Sequence, residues 1–591
     1  MRDGASTYPF VAALVALAAD VKTVLGPGTK VTYAADWSEY FGHQPGDGSG
    51  DVYFHLDPLW SCPDIDAIGV DLYWPLADWR DGSDHLDRAA GASSIYDLAY
   101  LAANIFGGEG YDFYYASPAD RDAQVRSAIT DGGAGKPWTF RYKDIRGWWL
   151  NAHYDRPGGT ESATPTAWVP QSKPFWFMEL GCPAVDKGAN QPNVFIDPKS
   201  SESNLPYYSA GTRDDFMQRR YLHAFHTAFD PTDASYVEDT NPASSEYAGR
   251  MVDLDHLHVY TWDARPYPAF PADTDTWGDG PNWRLGHWIT GRLASAPLDA
   301  TVATLLADYG FAAHDARSLT GLLTGLVIDR VLSAREALQP LELAFFLDAR
   351  ESDAEIVFSH RGTGASLAAL DDDALVEQRP GQALATLTRA QETDLPASAK
   401  LTYISASGGY AAAVEEARRL AGRSGRVATA DLPLVLEPEH AARTAETWLF
   451  EAWAARERAQ FSLPPSRLAL EPGDLVSLQA NGRSHLLRIT EIGEHGVRDI
   501  EARAYVAVLV ASVFTVALLL AHLGTYPDLQ QSLRHAAFNV VSVATTTGFA
   551  TVDYALWPAF APALMLLLCC FATSAGSTGG GIKMIRALLL V

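Results

Sequence analysis

Glu179 stands at the end of the apolar run Phe175-Trp176-Phe177-Met178 and just before the turn Gly181-Cys182-Pro183. A carboxylate at the C-terminal end of a buried strand projects into the mouth of an α/β barrel, where functional groups gather. Paired carboxylates at such ends break glycosidic bonds, one as acid and one as nucleophile or base. Flat aromatic faces with polar neighbours suit sugar rings. Thirteen of the sixteen tryptophans precede residue 290, among them Trp37, Trp74, Trp148, Trp149, Trp262 and Trp283. The same residues have a plainer reading, with Glu179 closing a salt bridge and the tryptophans filling a core. The residues alone leave these two readings level.

A second chemistry lies near the C-terminus. Residues 504–523 form a stretch of about twenty residues without a charge. At roughly 1.5 Å per residue it spans about 30 Å, the hydrocarbon thickness of a bilayer. Thr545-Thr546-Thr547-Gly548-Phe549 and Gly576-Ser577-Thr578-Gly579-Gly580-Gly581 bracket a further apolar run. This order predicts an all-α transmembrane hairpin: helix, re-entrant pore loop, helix. Non-helical backbone survives at membrane depth only when buried in protein or lining a wet cavity. Carbonyls there replace the hydration shell of a monovalent cation such as potassium. A single hairpin is only part of a ring, and the rest of the chain holds no further copy.

The elements expected to position Glu179 are apolar runs at residues 30–35, 67–74, 174–180 and 257–262, each ending in charged, aromatic or Gly/Pro residues. Helical segments over 94–106 and 213–229 separate some of them. The alternation predicts an incomplete α/β (TIM-like) barrel over residues 1–295, with fewer than eight strands evident. Residues 9–19 have the length of a signal-peptide core, but Arg2 and Asp3 cancel, and the helical period runs on through Asp20 and Lys22. An amphipathic packing helix is the expectation there. Residues 296–504 read as an α+β domain. Helices are expected over 299–308, 334–338, 411–420 and 437–458, strands over 341–348, 354–359 and 400–405, and a β-rich unit over 465–502. Asp253, Asp255, His256 and His258 alternate as metal ligands could, and also as any half-buried strand does, so no metal is assigned. Lys143-Asp144-Ile145-Arg146 reads as a solvated turn rather than a loop over a sugar.

The chain of 591 residues carries a net charge of −27. From Tyr505 onward only Asp528 and Asp553 are acidic, against Arg534, Lys583 and Arg586. The acidity therefore belongs to the first 504 residues and argues against nucleic acid as a partner. Cys62, Cys182, Cys569 and Cys570 show no ligand spacing. Arg503 and Arg586 flank the hairpin, which fits cytoplasmic ends. The expectation is a multi-pass segment in the inner membrane with membrane lipid around it. The body would then be cytoplasmic or associated with a tail particle.

Three resemblances sharpen these readings. VVSVATTTGF followed by AGSTGGGIK is similar to one repeat of the Trk/Ktr-type potassium transporters (TrkH), over residues 505–591. That family surrounds one pore with four such repeats. The resemblance implies filter carbonyls from Thr546, Thr547 and Gly548, an intramembrane turn at Gly576–Gly581, potassium as the transported ion, and transporter subunits as partners. IGVDLYWPLADWRDG and MELGCPAVDKGANQPNVFIDPKSSES resemble the glycoside-hydrolase-like barrel of gene transfer agent and phage tail host-specificity proteins, over residues 1–295. This implies a tail-tip protein, with tail subunits as partners, that engages and trims cell-surface glycan. In that family the barrel starts upstream of the segment matching Arg2-Asp3-Gly4, with a further catalytic carboxylate there. Asp36, Glu39 or Asp71 is left to stand in as the partner of Glu179. Residues 296–504 resemble the baseplate-hub-like domain of the same tail proteins. The whole reads as a composite of a tail-type body and a transporter repeat, by true fusion or by an error of gene assembly.

Overall fold

The computed structural model describes residues 2–505 apart from positions 4, 5, 83, 198, 201, 202, 293, 294, 362–367, 380 and 420–423, together with 519, 520, 535, 536, 557 and 561. The chain divides into two compact units, Met1–Ala294 and Ser295–Val591.

The first unit is organised by four parallel strands, β1 (Ala34–Asp36), β2 (Ile68–Leu72), β3 (Phe175–Leu180) and β4 (Val252–Val259), lying side by side in that order. A parallel sheet is covered on both faces, which is why its central strands β2 and β3 read as near-continuous apolar runs. Ile68, Val70, Leu72, Phe175 and Phe177 are all fully buried. Gly69 is required by close approach: a Cβ there would lie 2.4 Å from the carbonyl oxygen of Tyr33. A β-bulge interrupts the pairing of β2 with β3. Val70 lies opposite Phe177, but Asp71 lies opposite Glu179, so Met178 is the extra residue.

Helices pack against this sheet. α1 (Pro9–Leu25) begins with proline, whose missing N–H costs nothing at a helix start, and turns Val11 and Ala18 inward, seven residues apart. α2 (Leu98–Ala103) is capped by Asp97, whose carboxylate accepts from the backbone N–H of Ala99 and Tyr100. α3 (Asp215–Phe229) is capped by Asp214 and buries Phe216, Tyr221, Phe225 and Phe229. The core is aromatic, with Trp60, Trp74, Trp148 and Trp149 fully buried. Inside it the His153 ring stacks between Phe54 and Trp168, at 4.4 and 5.6 Å, and meets the Asp57 carboxylate at 2.9 Å.

Among the described residues the second unit pairs three helices, α4 (Leu298–Asp308), α5 (Ala334–Phe345) and α6 (Pro438–Ala454), with mixed sheets. A six-stranded sheet runs in the order Ala368–Leu370, Leu475–Ala480, Arg483–Glu494, Arg498–Ala504, Glu457–Leu463 and Ala385–Arg389. Leu463, Leu478 and Leu487 fill its core. Another sheet contains β5 (Pro396–Ser405), β6 (Ala412–Arg418) and β7 (Arg426–Leu436).

Two local expectations fail here for identifiable reasons. Residues 411–420 carry Ala, Glu and Arg in helix-favouring proportion, yet β6 pairs with β5 in unbroken antiparallel register from Ser398↔Arg418 to Ile404↔Ala412. Tertiary pairing overrides a weak local preference. Residues 341–345, expected as strand, continue α5. A capping box between Ser333 and Glu336 starts that helix, and Ala337, Leu338, Leu341 and Ala344 form its buried stripe.

The expected membrane hairpin is corrected. Among the described residues no helix is long and apolar enough to cross a membrane. Thr545–Phe549 and Gly576–Gly581, assigned above to an ion filter and an intramembrane turn, lie outside the described residues. The all-α transmembrane part of the fold, the membrane-lipid partnership, the multi-pass inner-membrane placement and the potassium-transport reading lose their basis together, since each required a spanning helix.

Candidate functional site

The parallel register brings three of the acidic residues singled out above onto neighbouring strands. Asp36 on β1 lies opposite Asp71 on β2, and Asp71 lies opposite Glu179 on β3. Residues in register on parallel strands share a face, so the three carboxylates form a row at the C-terminal end of the sheet. The bulge at Met178 is what puts Glu179, rather than a methionine, beside Asp71.

Each carboxylate has a different setting. The Tyr73 hydroxyl, two residues past Asp71, donates to Glu179 Oε2 at 2.6 Å. Asp36 Oδ1 accepts from the backbone N–H of Ser38 at 2.8 Å and from its hydroxyl. Asp71 Oδ1 is buried and has no hydrogen-bond partner among the described residues. Burial, with the charges of Glu179 and Asp36 adding to it, pushes the Asp71 carboxyl up to about 6. Burial and the bond to Glu179 hold the Tyr73 phenol far above its ordinary range. Glu39 accepts from the Tyr33 hydroxyl at 3.3 Å, and burial raises its carboxyl.

The rim is aromatic and comes from the residues after each strand. Trp37 follows β1 and meets Tyr73 edge to face at 5.7 Å. Tyr260 follows β4; its phenol is raised by burial and by the charge of Glu179. His287 touches both Tyr73 and Tyr260, at 5.5 and 6.0 Å between ring centres. Trp262 is 66% exposed. Gly181 lets this end close, since a Cβ there would come within 2.4 Å of the Tyr260 carbonyl oxygen.

Trp74 and Trp149 lie elsewhere. Both are fully buried, and the Trp149 indole N–H donates to the Lys173 carbonyl, so neither presents a ring face to a ligand. Lys143 is no solvated turn: it is fully buried, and its ammonium donates to the carbonyls of Pro75 and Gly107. His256 stacks flat on Trp176 at 3.8 Å and bonds Asp253, so this alternating set serves side-chain packing. Sequence reasoning missed Tyr73, Tyr260 and His287. Tyr73, at the same strand end as Asp71, carried the one readable signal.

Comparison with known proteins matches residues 1–271 to the GTA TIM-barrel-like domain, residues 333–492 to the family described as "Putative phage tail protein", and residues 504–591 to the TrkH cation transport protein family. The Trk system potassium uptake protein TrkH of Salmonella typhimurium is 44% identical over 93 residues, covering 16% of this chain and 19% of that protein. TrkH of Halomonas elongata is 39% identical over 97 residues, with coverage of 16% and 20%. The chain thus spans about a fifth of the length of these curated relatives. Among solved structures, the virion of a native gene transfer agent (GTA) particle aligns at 33% identity and a TM-score of 0.37, over 39% of this chain and 52% of that one. The tail protein from Neisseria meningitidis MC58 aligns at 12% identity and a TM-score of 0.27, over 36% and 67%. The polypeptide carries, in order, a GTA TIM-barrel-like domain, a phage-tail domain and a TrkH-like repeat.

Proposed function

We propose that this chain is a tail-type structural protein whose first unit engages glycan at the ends of β1–β4, and that its TrkH-like repeat is a fused segment with no transport role. The observation that carries the glycan reading is the row Asp36–Asp71–Glu179 set beneath Trp37, Tyr73, Tyr260 and Trp262. Carboxylates accept from sugar hydroxyls, and aromatic faces cover the apolar side of the ring. The fused-segment reading is supported by the match to only about a fifth of the curated transporters.

The test is binding of the full chain to an array of cell-surface glycans, with Glu179→Gln as control. Binding weakened about tenfold in the variant, worth about 1.4 kcal/mol, is expected. A parent chain that binds no glycan sinks the reading. For the tail, single-molecule sequencing across the codons for residues 490–520 should show one uninterrupted frame. Potassium uptake into vesicles carrying the chain, above that of empty vesicles, would overturn the fused-segment reading.

A second reading, cleavage of the bound glycan, is favoured by the unpartnered Asp71 oxygen beside Glu179. Neighbouring strands lie about 4.8 Å apart, close to the roughly 5–5.5 Å that separates the carboxyls of retaining glycosidases. Asp71, protonated below about pH 6, would donate to the departing oxygen. Glu179, held by Tyr73, would attack the anomeric carbon. Water would then release the sugar, with Asp71 taking its proton. Release of reducing ends should fall as pH rises past about 6 and drop at least about 100-fold in Glu179→Gln. A rate indifferent to that substitution excludes this reading.

A further inference from the structure

A cavity of about 470 Å³ opens in the first unit beside the segment that follows β2, lined by Pro75, Ala77 and Asp78 and by the segments around residues 87–113 and Arg126. Pro75 lies four positions beyond Asp71, at most about 14 Å of extended chain. The cavity therefore borders the carboxylate row within the span of a short oligosaccharide. None of its lining residues belongs to the row described above.

Its chemistry is decided by how its charges are spent. Asp78 is bonded by Arg80, Arg126 and the Tyr115 hydroxyl. Asp87 is bonded by Arg126 and the Tyr100 hydroxyl. Glu109 is held in a two-point pair by Arg121. Three guanidinium groups thus answer these three carboxylates, while Asp97 and Asp112 of the lining are left as an excess of two negative charges. What remains is a wall of fixed donors and acceptors: the Tyr100 hydroxyl, the Asn104 amide, the Arg126 guanidinium, the carboxylates of Asp87 and Asp112, and the ring of Phe113. Asn104 already donates to the Leu76 carbonyl, and Asp112 accepts from the Gly108 N–H, so both are fixed in place before any ligand arrives.

A pocket of this size, with a few convergent polar groups and one aromatic wall, suits a small polyol. A uronate or other acidic sugar would meet Asp97 and Asp112 and be repelled. We propose that this cavity is a second glycan subsite that takes an uncharged sugar unit and rejects an acidic one. The inference rests on the glycan reading for its context but can be scored apart from it.

The experiment is hydrogen–deuterium exchange on the full chain, read separately over residues 86–113 and over residues 33–40 with 71–74. The probes are an equimolar pool of neutral tetrasaccharides (glucose, mannose, galactose and N-acetylglucosamine) and, in parallel, a galacturonate tetramer. The neutral pool should slow exchange over 86–113, and the galacturonate tetramer should not. Ala90 lines the cavity and is solvent-exposed, so Ala90→Trp fills the space without disturbing the core. It should raise the pool concentration needed for protection over 86–113 about tenfold, with residues 33–40 and 71–74 unaffected. Protection confined to 33–40 and 71–74 overturns the subsite and leaves the glycan reading standing. Protection confined to 86–113 upholds the subsite and removes the strand-end reading. Protection in neither region, equal protection by galacturonate, or an unchanged response in Ala90→Trp rejects the subsite.

Discussion

In the second unit several arginines end in ion pairs. Arg350 meets Glu471 at 2.9 Å, Arg361 bridges Asp348 and Glu451 at 2.8 and 2.9 Å, and Arg498 meets Glu494 at 2.8 Å. In the parallel sheet of the first unit, Asp36, Asp71 and Glu179 stand side by side, and no arginine or lysine pairs with any of them among the described residues. Like charges in neighbouring register positions work against folding. The six-stranded sheet also sets Arg458, Arg503 and Arg488 in register, so it is the buried and unpartnered Asp71 oxygen within the acidic row that gives the parallel sheet the functional reading.

The comparison can be broken or sharpened by substitution, beginning with the largest effect. Phe177 lies fully buried in β3, two residues before Glu179. Phe177→Ala should cost about 3–5 kcal/mol in a urea titration followed by tryptophan fluorescence. A cost below about 1 kcal/mol would mean that the strand beneath the row is not packed as described. Asp71 comes next. Its carboxyl is raised in the folded chain, so its contribution to stability is full below pH 4 and is lost as pH rises to about 6. Asp71→Asn should flatten that part of the stability curve, and an unchanged curve would show that Asp71 is not crowded by its neighbours. Arg361→Ala removes two partly exposed pairs and should cost about 1 kcal/mol, less in high salt. Smallest of all, Glu179→Gln should shift stability by no more than about 0.5 kcal/mol, because the parent residue answers no cation. A clear destabilisation would turn Glu179 into a structural residue and dissolve the contrast.

Much of the parallel sheet was legible in the sequence, because its buried strands leave unbroken apolar runs at 67–74 and 174–180. Glu179 was readable for the same reason, being the polar residue at such a run's end. The register that joins it to Asp36 and Asp71 was not, since pairing between strands a hundred residues apart leaves no local trace. Trp74 and Trp149 illustrate a different limit. An indole suits a core as well as a sugar, and only packing tells which. The helix expected over 411–420 failed because Ala, Glu and Arg report a preference of tenths of a kcal/mol per residue, which a seven-residue ladder with β5 outweighs. The charge-free stretch from residue 504 was legible as apolar, and most of it lies outside the described residues, among which no helix is long and apolar enough to cross a membrane.

The extra residue at Met178 has a consequence for how this protein can change. Had β3 run on regularly past Phe177, Met178 would stand opposite Asp71 and Glu179 would pass beyond it to Leu72, out of the row. Met178→Leu should therefore leave the row in place, whereas a one-codon deletion closes the bulge and sets the same glutamate opposite Asp71 in regular register. The spacing of the backbone, more than the identity of any neighbour, is the inherited trait at this end of the sheet.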